Sequence, residues 1–495
     1  MPPRNPFYIP EITSLVAPLL GQSDLASCVR VCKTWQDIFF PHLWRSIDVH
    51  AELDFGSKPR RIGPSQDDIY NHRHLIHDLS LEGELVSFNK ECYPNLRSLD
   101  IGFRSADCLE NPVETISLNL IKTFPSLVCL RFGCVDLTPE VWMTLSSHPH
   151  IKRLELTAVP IRNVDAPAFW KVCEKLEHLE LTYVKLRDLT IPADTVFHRI
   201  RHLEIEGGQQ PDLQGQMDLI LRCPSSEYIK WHIEEEDDIY EQRLIHNPIR
   251  KDHWPRLKEL TITYPIHDTD IAAILQGAEN GLGNIVELYL NCTVLMDQAF
   301  KAISHHFSTL VIVSLFGCHP DTSPAIRDIL CGCPKLEILR GTSIYARDIV
   351  EGGPWVCLQL KALMLCFLVE DTEQELQPLI FERLSTLTRL EVLTMWAPPM
   401  NDNGQDKVLR FRLDCGMTSL ASLRQLTFIH FGRIRRWSMC DDDVSYCPQL
   451  GMDEILWIEI HWKRLRMVQG RLNENKRLEE QLISRLQSRG IEYCP

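Results

Sequence analysis

The sequence lacks the features that mark membrane-spanning or nucleic-acid-binding proteins. No apolar run in the 495 residues approaches the ~18 needed to cross a bilayer, and the longest runs, such as 310–318 and 362–369, have the length of a strand. Basic residues number 52 against 67 acidic ones, and the resulting net charge of −15 argues against a general polyanion binder. We therefore expect neither a membrane nor a nucleic acid as partner.

Paired cysteine motifs are missing, although the chain has 18 cysteines. There is no CxxC pair, and the closest spacings are Cys28/Cys32 and Cys331/Cys333. Zinc sites are typically built from CxxC pairs or Cys/His clusters. Glu11, Asp24 and four early prolines also interrupt what could otherwise resemble a secretion signal. We expect reduced thiols, no metal, no cofactor, and a cytoplasmic and/or nuclear protein.

Common catalytic motifs are equally absent. The sequence has no GxGxxG at a strand-to-helix turn, no phosphate-binding P-loop, no HExxH and no GxSxG. With a hydrophobic content of 44% and 24% charged residues, the chain can nevertheless fold into a globular structure. The sequence thus predicts a folded protein that is not an enzyme.

An internal repeat occupies most of the chain. The pattern apolar-x-x-apolar-x-apolar recurs fifteen times between residues 76 and 455, with a mean period of about 27 residues. Three of these anchor sets are Leu176/Leu179/Leu181 in the fifth unit, Leu423/Leu426/Phe428 in the fourteenth and Ile455/Ile458/Ile460 in the fifteenth. Such a unit cannot bury its apolar face alone, but stacked units share one continuous core.

A second set of positions recurs in step with the anchors. An aromatic residue, histidine or cysteine stands three residues before the first anchor, and proline often follows it, where it ends the preceding element. These residues are Tyr93, Phe124, His148, Cys173, Phe197, Cys223, Trp254, Cys333 and Cys357. Between anchors, Thr138-Pro139 and Ser323-Pro324 are typical of helix starts. Each unit is therefore predicted to be a short strand, a turn, a helix and a proline-marked return.

This organisation resembles the leucine-rich repeat, in particular the intracellular type with Cys-Pro-x-Leu before the strand, as in Cys333-Pro334-Lys335-Leu336. The resemblance implies an α/β solenoid of about 15 strand-helix units over residues 75–465. The basic, helix-like segment 466–495 is interpreted as a cap over the last repeat.

The first fifty residues follow a different pattern, that of short helices. Ile9-Pro10-Glu11-Ile12, Asp24-Leu25, the run from Val31-Cys32 to Trp35, and Leu43-Trp44 stand in the order and spacing of an F-box, which this segment resembles. That resemblance implies that the helices bind a Skp-type adaptor of a cullin ubiquitin ligase. By the same resemblance the adaptor contacts are Ile9, Pro10, Leu20, Leu25, Val31 and Trp35. The alternative is that these helices only cap the first repeat.

The strands indicate where a protein substrate could bind. Because side chains alternate along a strand, the residue between the last two anchors faces the open, concave side of the solenoid. At this position three consecutive units carry glutamate and a later unit carries Tyr289, and two residues further on the same face carries Phe316 and Trp396. Aromatic residues are enriched at binding hot spots. The candidate substrate-binding residues are Glu155, Glu180, Glu204, Tyr289, Phe316 and Trp396.

The sequence therefore predicts a helical F-box-like module at 5–48, a linker loop at 49–74, repeats at 75–465 and a helical cap at 466–495. The resemblance implies a non-catalytic substrate receptor that joins an unknown protein substrate to a Skp-type adaptor and cullin ligase core. A ligase-independent leucine-rich-repeat scaffold or a GTPase regulator remains the alternative.

Overall fold

The fold is described by a computed structural model. It covers residues 10–52, 60–62, 64–82, 93–102, 124, 126–186, 189–207, 212–233, 244–245, 249–263, 266–279, 285–291, 295–316, 318, 322–396, 408–432 and 447–494. The chain divides into two compact units, Met1–Ser226 and Glu227–Pro495, called unit 1 and unit 2 here. The predicted adaptor contact Ile9 lies outside the described residues.

Short helices form the N-terminal module, as predicted. They are α1 (Pro10–Val16), a 3-10 turn (Ala17–Leu19), α2 (Gln22–Cys28) and α3 (Lys33–Leu43). Leu25, Ala17 and Phe39 are their buried core.

Unit 1 continues as a parallel sheet with helices between its strands. Its strands are β1 (Ser46–Glu52), β2 (Arg60–Ile62), β3 (Asp78–Glu82), β4 (Ser98–Gly102), β5 (Cys129–Gly133), β6 (Arg153–Thr157), β7 (His178–Thr182) and β8 (His202–Gly207). Its further helices are α4 (Gln66–His72), α5 (Pro139–Ser147), α6 (Ala166–Cys173) and α7 (Leu213–Leu221). β1 and β3 to β8 pair side by side in parallel, and β2 pairs antiparallel with β1.

Unit 2 repeats the same plan. Its strands are β9 (Tyr228–Ile233), β10 (Glu259–Thr263), β11 (Glu287–Leu290), β12 (Ile312–Ser314), β13 (Ile338–Tyr345), β14 (Ala362–Leu368), β15 (Val392–Met395), β16 (Phe428–Phe431), β17 (Met467–Gln469) and β18 (Glu492–Cys494). Its helices are α8 (Asp268–Gly277), α9 (Asp297–Ser304), α10 (Ser323–Gly332), α11 (Ala346–Glu351), α12 (Gln377–Ser385), α13 (Met452–His461) and α14 (Lys476–Ser488). All ten strands run parallel, each beside the next. No helix in the described ranges has the length and apolar character that a bilayer span requires.

The anchor residues explain why neighbouring repeats stack. In β7, Leu179 faces Leu154 of β6 and Leu203 of β8, and all three are fully buried. The nine residues that precede the anchors are buried too, with exposures of 0–6%. The carbonyl oxygen of Cys173 accepts a hydrogen bond from the Leu176 amide at 3.2 Å, a turn that leads the chain into the strand. This arrangement confirms a leucine-rich-repeat fold of stacked strand-helix units.

The cysteines in the described residues are free thiols. Cys173, Cys223 and Cys333 are fully buried, and burial raises the pKa of each thiol. Such groups act as small apolar core residues.

Two of the fifteen predicted repeats need correction. The fifteenth is wrong, because Ile455 and Ile458 lie in helix α13, whose i, i+3 spacing also satisfies the first part of the repeat pattern. The fourteenth is shifted by three residues, since Ile429 pairs with the anchor Leu393. Its anchors are therefore Leu426, Ile429 and Phe431.

The sheet also extends beyond the predicted repeats at both ends. β1 carries the pattern Trp44-x-x-Ile47-x-Val49 and pairs with β3, while residues 60–62 and 66–72 of the predicted linker loop form β2 and α4. β17 and β18 lie within the predicted cap. Gly470, the residue after β17, stands at the third anchor position with φ +91°, and a Cβ there would lie 1.5 Å from the backbone oxygen of Phe431. An apolar anchor pattern could not reveal this strand.

Candidate interaction surfaces

The buried core of the N-terminal module and the residues packed against it include three predicted adaptor contacts. Leu25 is 4% exposed and packs with Ala17 and Phe39, with Leu20 and Trp35 partly buried around them. The Trp35 and Phe39 rings lie 5.3 Å apart between centroids. Leu25 and Trp35 therefore hold the module together from inside.

The apolar surface of the module lies elsewhere. Leu15 and Leu19 are 74% and 83% exposed, Val31 is 61% exposed and Ile12 is 38% exposed. Ile12, Leu15 and Leu19 follow helical spacing of three and four residues, which places them on one side of α1 and the 3-10 turn. Large apolar residues clustered in the open typically mark an interaction site. Among the predicted contacts, Pro10 and Val31 belong to the exposed surface, whereas Leu15 and Leu19 were missed.

Another part of the module attaches to the repeats. The ring of Trp44 stacks on that of His72 in α4 at 4.1 Å, and Phe40 meets the same ring edge-on at 5.1 Å. The Gln22 amide donates to the Ser46 carbonyl oxygen at 2.8 Å, and β1 is the first parallel strand of the sheet. The end of the F-box-like segment thus caps the repeats, while α1 leaves its apolar side exposed.

On the open face of each sheet, opposite the buried anchors, side chains form columns that run across the strands. We call the position before the second anchor the first column, and the position between the last two anchors the middle column. In β4 to β8 the middle column consists of Asp100, Arg131, Glu155, Glu180 and Glu204. Adjacent members lie about 4.8 Å apart along the sheet.

Glu155, the first of the three predicted glutamates, is paired within the chain. Its side chain is only 12% exposed, and its two carboxylate oxygens accept from the guanidinium groups of Arg131 and Arg153. The protein itself thus neutralises part of this acidic stretch with Arg131 and Arg153. Glu180 is more exposed, at 28% of its side chain.

Two histidines lie beside these acids in the first column. The rings of His178 and His202 stack with centroids 3.9 Å apart and planes inclined by 14°. His178 Nε2 lies 3.7 Å from Glu180 Oε2, and His202 Nε2 lies 3.8 Å from Glu204 Oε2. Burial lowers the pKa of His178, although the Glu180 carboxylate acts in the opposite direction. Burial thus favours the neutral form of the His178 ring.

The predicted aromatic residues of unit 2 lie partly buried on the corresponding face. Burial raises the pKa of Tyr289 to about 12, with a further contribution from the hydrogen bond that its hydroxyl donates to Glu287 at 2.9 Å. The rings of Phe316 and Trp396 lie 5.8 Å apart and form one aromatic cluster. The structure brings these two together and places Tyr289 in the middle column of β11.

Unit 2 also carries an apolar first column that the sequence reasoning missed. It runs over six adjacent strands and consists of Ile312, Ile338, Ala362, Val392, Phe428 and Met467. Beside it, Ser314, Thr394 and His430 in the middle column are only 3%, 1% and 7% exposed. Reading the position before the second anchor along the chain would have found this column.

Comparison with known proteins relates the N-terminal segment to a protein family. Residues 10–50 match the family model described as F-box-like. A search of curated proteins finds no match. Among solved structures, the chain is similar to the leucine-rich-repeat ectodomain of the plant membrane receptor kinase GASSHO1/SCHENGEN3 from Arabidopsis thaliana, solved in complex with CASPARIAN STRIP INTEGRITY FACTOR 2. The identity is 13% and the TM-score 0.32, and the match covers 72% of this chain and 39% of that ectodomain.

Proposed function

We propose that this F-box/leucine-rich-repeat chain is a non-catalytic substrate receptor of a cullin-type ubiquitin ligase. F-box domains generally dock Skp-type adaptors, and the segment that matches the F-box-like family carries the exposed residues Leu15 and Leu19. This solvent-exposed apolar side of a small helical module is the observation that carries the proposal. The ubiquitin transfer itself would belong to other subunits, in the cytoplasm and/or nucleus.

The physical role of such a receptor is to raise the effective concentration of a substrate near a ligase. The module ends in β1, which belongs to the repeat sheet of unit 1. A substrate on the open face of that sheet would therefore be tethered to the adaptor through one continuous piece of structure.

Co-purification with a Skp-type adaptor tests the first half of the proposal. The double substitution Leu15→Asp/Leu19→Asp should abolish capture, because it places charges in the apolar contact without touching the core around Leu25. The matched control is Met143→Asp, at an apolar residue on α5 that is 58% exposed. It should bind like the unaltered protein. A folded, unaltered chain that never captures the adaptor would contradict the proposal and favour the scaffold alternative.

The open face of unit 1 supports the second half, a substrate with a basic segment. Because Glu155 is held by two arginines, Glu180, with 28% of its side chain exposed, is the most accessible of the three glutamates. The double substitution Glu180→Lys/Glu204→Lys should weaken capture of a basic substrate segment by more than ~10-fold, since like charges would then face each other. Capture at unchanged strength would show that the substrate binds elsewhere, for example at the Phe316/Trp396 cluster.

A further inference from the structure

Three potential metal ligands converge on the open face of unit 1. Glu155 of β6 and His178 and Glu180 of β7 each offer one ligand atom, and these three atoms all lie within 4.8 Å of one another. β6 and β7 are adjacent parallel strands in which Glu155 pairs with Glu180 and Arg153 with His178. The cluster is thus fixed by the register of the sheet and not by a loop.

The donor set selects one class of metal. An imidazole nitrogen with two carboxylates suits Zn²⁺ and its transition-metal neighbours, whereas Mg²⁺ and Ca²⁺ prefer oxygen ligands alone. Zinc binds such atoms at about 2.0–2.2 Å, so ligands of one tetrahedral ion lie roughly 3.3 Å apart. Rotation of the more exposed Glu180 side chain would close the remaining gap while Glu155 stays between its two arginines.

The imidazole is already held in a form suitable for ligation. Nε2 of His178 is buried and has no hydrogen-bond partner within the described part of the chain. The stack with His202 fixes the plane of the ring. A buried ring nitrogen without a partner is costly, and a metal ion would satisfy it.

The surrounding charges favour a dication. The middle column of β4 to β8 holds four carboxylates, those of Asp100, Glu155, Glu180 and Glu204, against one guanidinium, Arg131, and the neighbouring Arg153 adds a second. Four negative and two positive charges leave a local excess of two negative charges, which one Zn²⁺ ion would neutralise. Arg131 and Arg153 would then fix the orientation of the ligating Glu155 carboxylate through their ion pairs with it.

We propose that Glu155, His178 and Glu180 form a Zn²⁺ site on the open face of unit 1. Three protein ligands leave a fourth position for water or for a group of a bound partner. The site would link two neighbouring repeats, and because it uses Glu180, bound metal and a basic substrate segment would compete for that residue. It is independent of adaptor binding.

Equilibrium dialysis of the purified full chain against Zn²⁺, with metal analysis by mass spectrometry, tests the site. The unaltered protein should bind one Zn²⁺ that His178→Gln and Glu180→Gln each weaken by more than ~10-fold. The matched controls His150→Gln and Glu177→Gln, at polar residues outside the cluster, should bind as the unaltered chain does. Circular dichroism of the metal-free variants shows that each is folded, and the two independent variants guard against a folding defect in one.

The same titration with Co²⁺ distinguishes this site from adventitious binding by thiols. Ligation by imidazole and carboxylates gives weak visible bands without the intense near-ultraviolet charge-transfer band of cobalt thiolates. A thiolate spectrum, binding that both variants retain, or no bound metal would each overturn the proposal.

Discussion

The open faces of the two units differ although the same repeat builds both. In unit 1 the strands β4 to β7 alternate regularly between buried anchors and more exposed residues, most of which are polar or charged. In unit 2, β15 and β16 are buried at three of their four positions, and Thr394 and His430 are almost inaccessible. The repeat thus dictates the stacking of strands, and the residues between the anchors decide whether the open face is a charged surface or an apolar one.

The largest expected effect comes from placing a glutamate, as found in the middle column of unit 1, at a middle-column position of unit 2. Thr394→Glu would bury a carboxylate at a middle-column position that is 1% exposed. We expect a loss of about 3 kcal/mol or more in the free energy of unfolding, because an uncompensated charge would leave water. Equilibrium urea unfolding measures it. The reciprocal change Glu180→Thr, at the same repeat position in unit 1, should cost less than ~1 kcal/mol; equal losses would contradict the difference between the faces.

A smaller effect is expected from removing the internal ion pairs of Glu155. Glu155→Gln deletes the charge that meets both Arg131 and Arg153, whose side chains are 43% and 42% exposed and can be hydrated. The expected cost is about 1 kcal/mol, since the desolvated acceptor is lost but the arginines reach water. The change in thermal midpoint, compared with that of Glu180→Gln, measures it. A larger loss in Glu180→Gln than in Glu155→Gln would overturn this ranking.

The stability of unit 2 should also be sensitive to acid, because His430 on its open face is buried. Burial lowers the pKa of His430. The imidazole of His430 is therefore protonated at a higher pH in the unfolded chain than in the folded chain. The stability that the neutral His430 ring contributes is complete above the unfolded pKa of about 6.5, and it is lost as the pH falls below that value. His430→Gln should reduce the loss of stability between about pH 7.5 and pH 5.5. Urea unfolding at both pH values measures the difference, and the exposed His150→Gln serves as control; an unchanged acid sensitivity in His430→Gln would contradict this account.

The smallest effect concerns a feature that the two units share. Lys152 pairs with Glu177 in unit 1 and Lys361 with Glu337 in unit 2, at 2.8 and 2.7 Å, both at the solvent-exposed start of the strands. Lys152→Met and Lys361→Met should each change stability by less than ~0.5 kcal/mol, because water screens exposed pairs. A clear difference between the two in urea unfolding would mean that the units differ beyond their open faces.

The sequence predicted most repeats from their apolar anchors, but it missed the strand of Ile47 and placed the fourteenth repeat three residues from Ile429. It predicted the strands around Leu179 and Leu393, because burial of leucines at a fixed period is a strong signal. It failed where another element satisfies the same spacing, as in helix α13, and where the backbone of Phe431 leaves room only for Gly470. The surfaces were harder to predict, because the exposure of Leu15 and the burial of Leu25 depend on how the helices pack.

Hydrogen–deuterium exchange of the full chain, with and without a Skp-type adaptor, tests most directly whether the N-terminal module binds the adaptor and leaves the repeats free for a substrate. We expect the adaptor to protect amides within residues 10–35, around Leu15 and Leu19, and to leave the strands of both open faces unchanged. Protection confined to the repeat strands, or none at all in a folded chain, would contradict it.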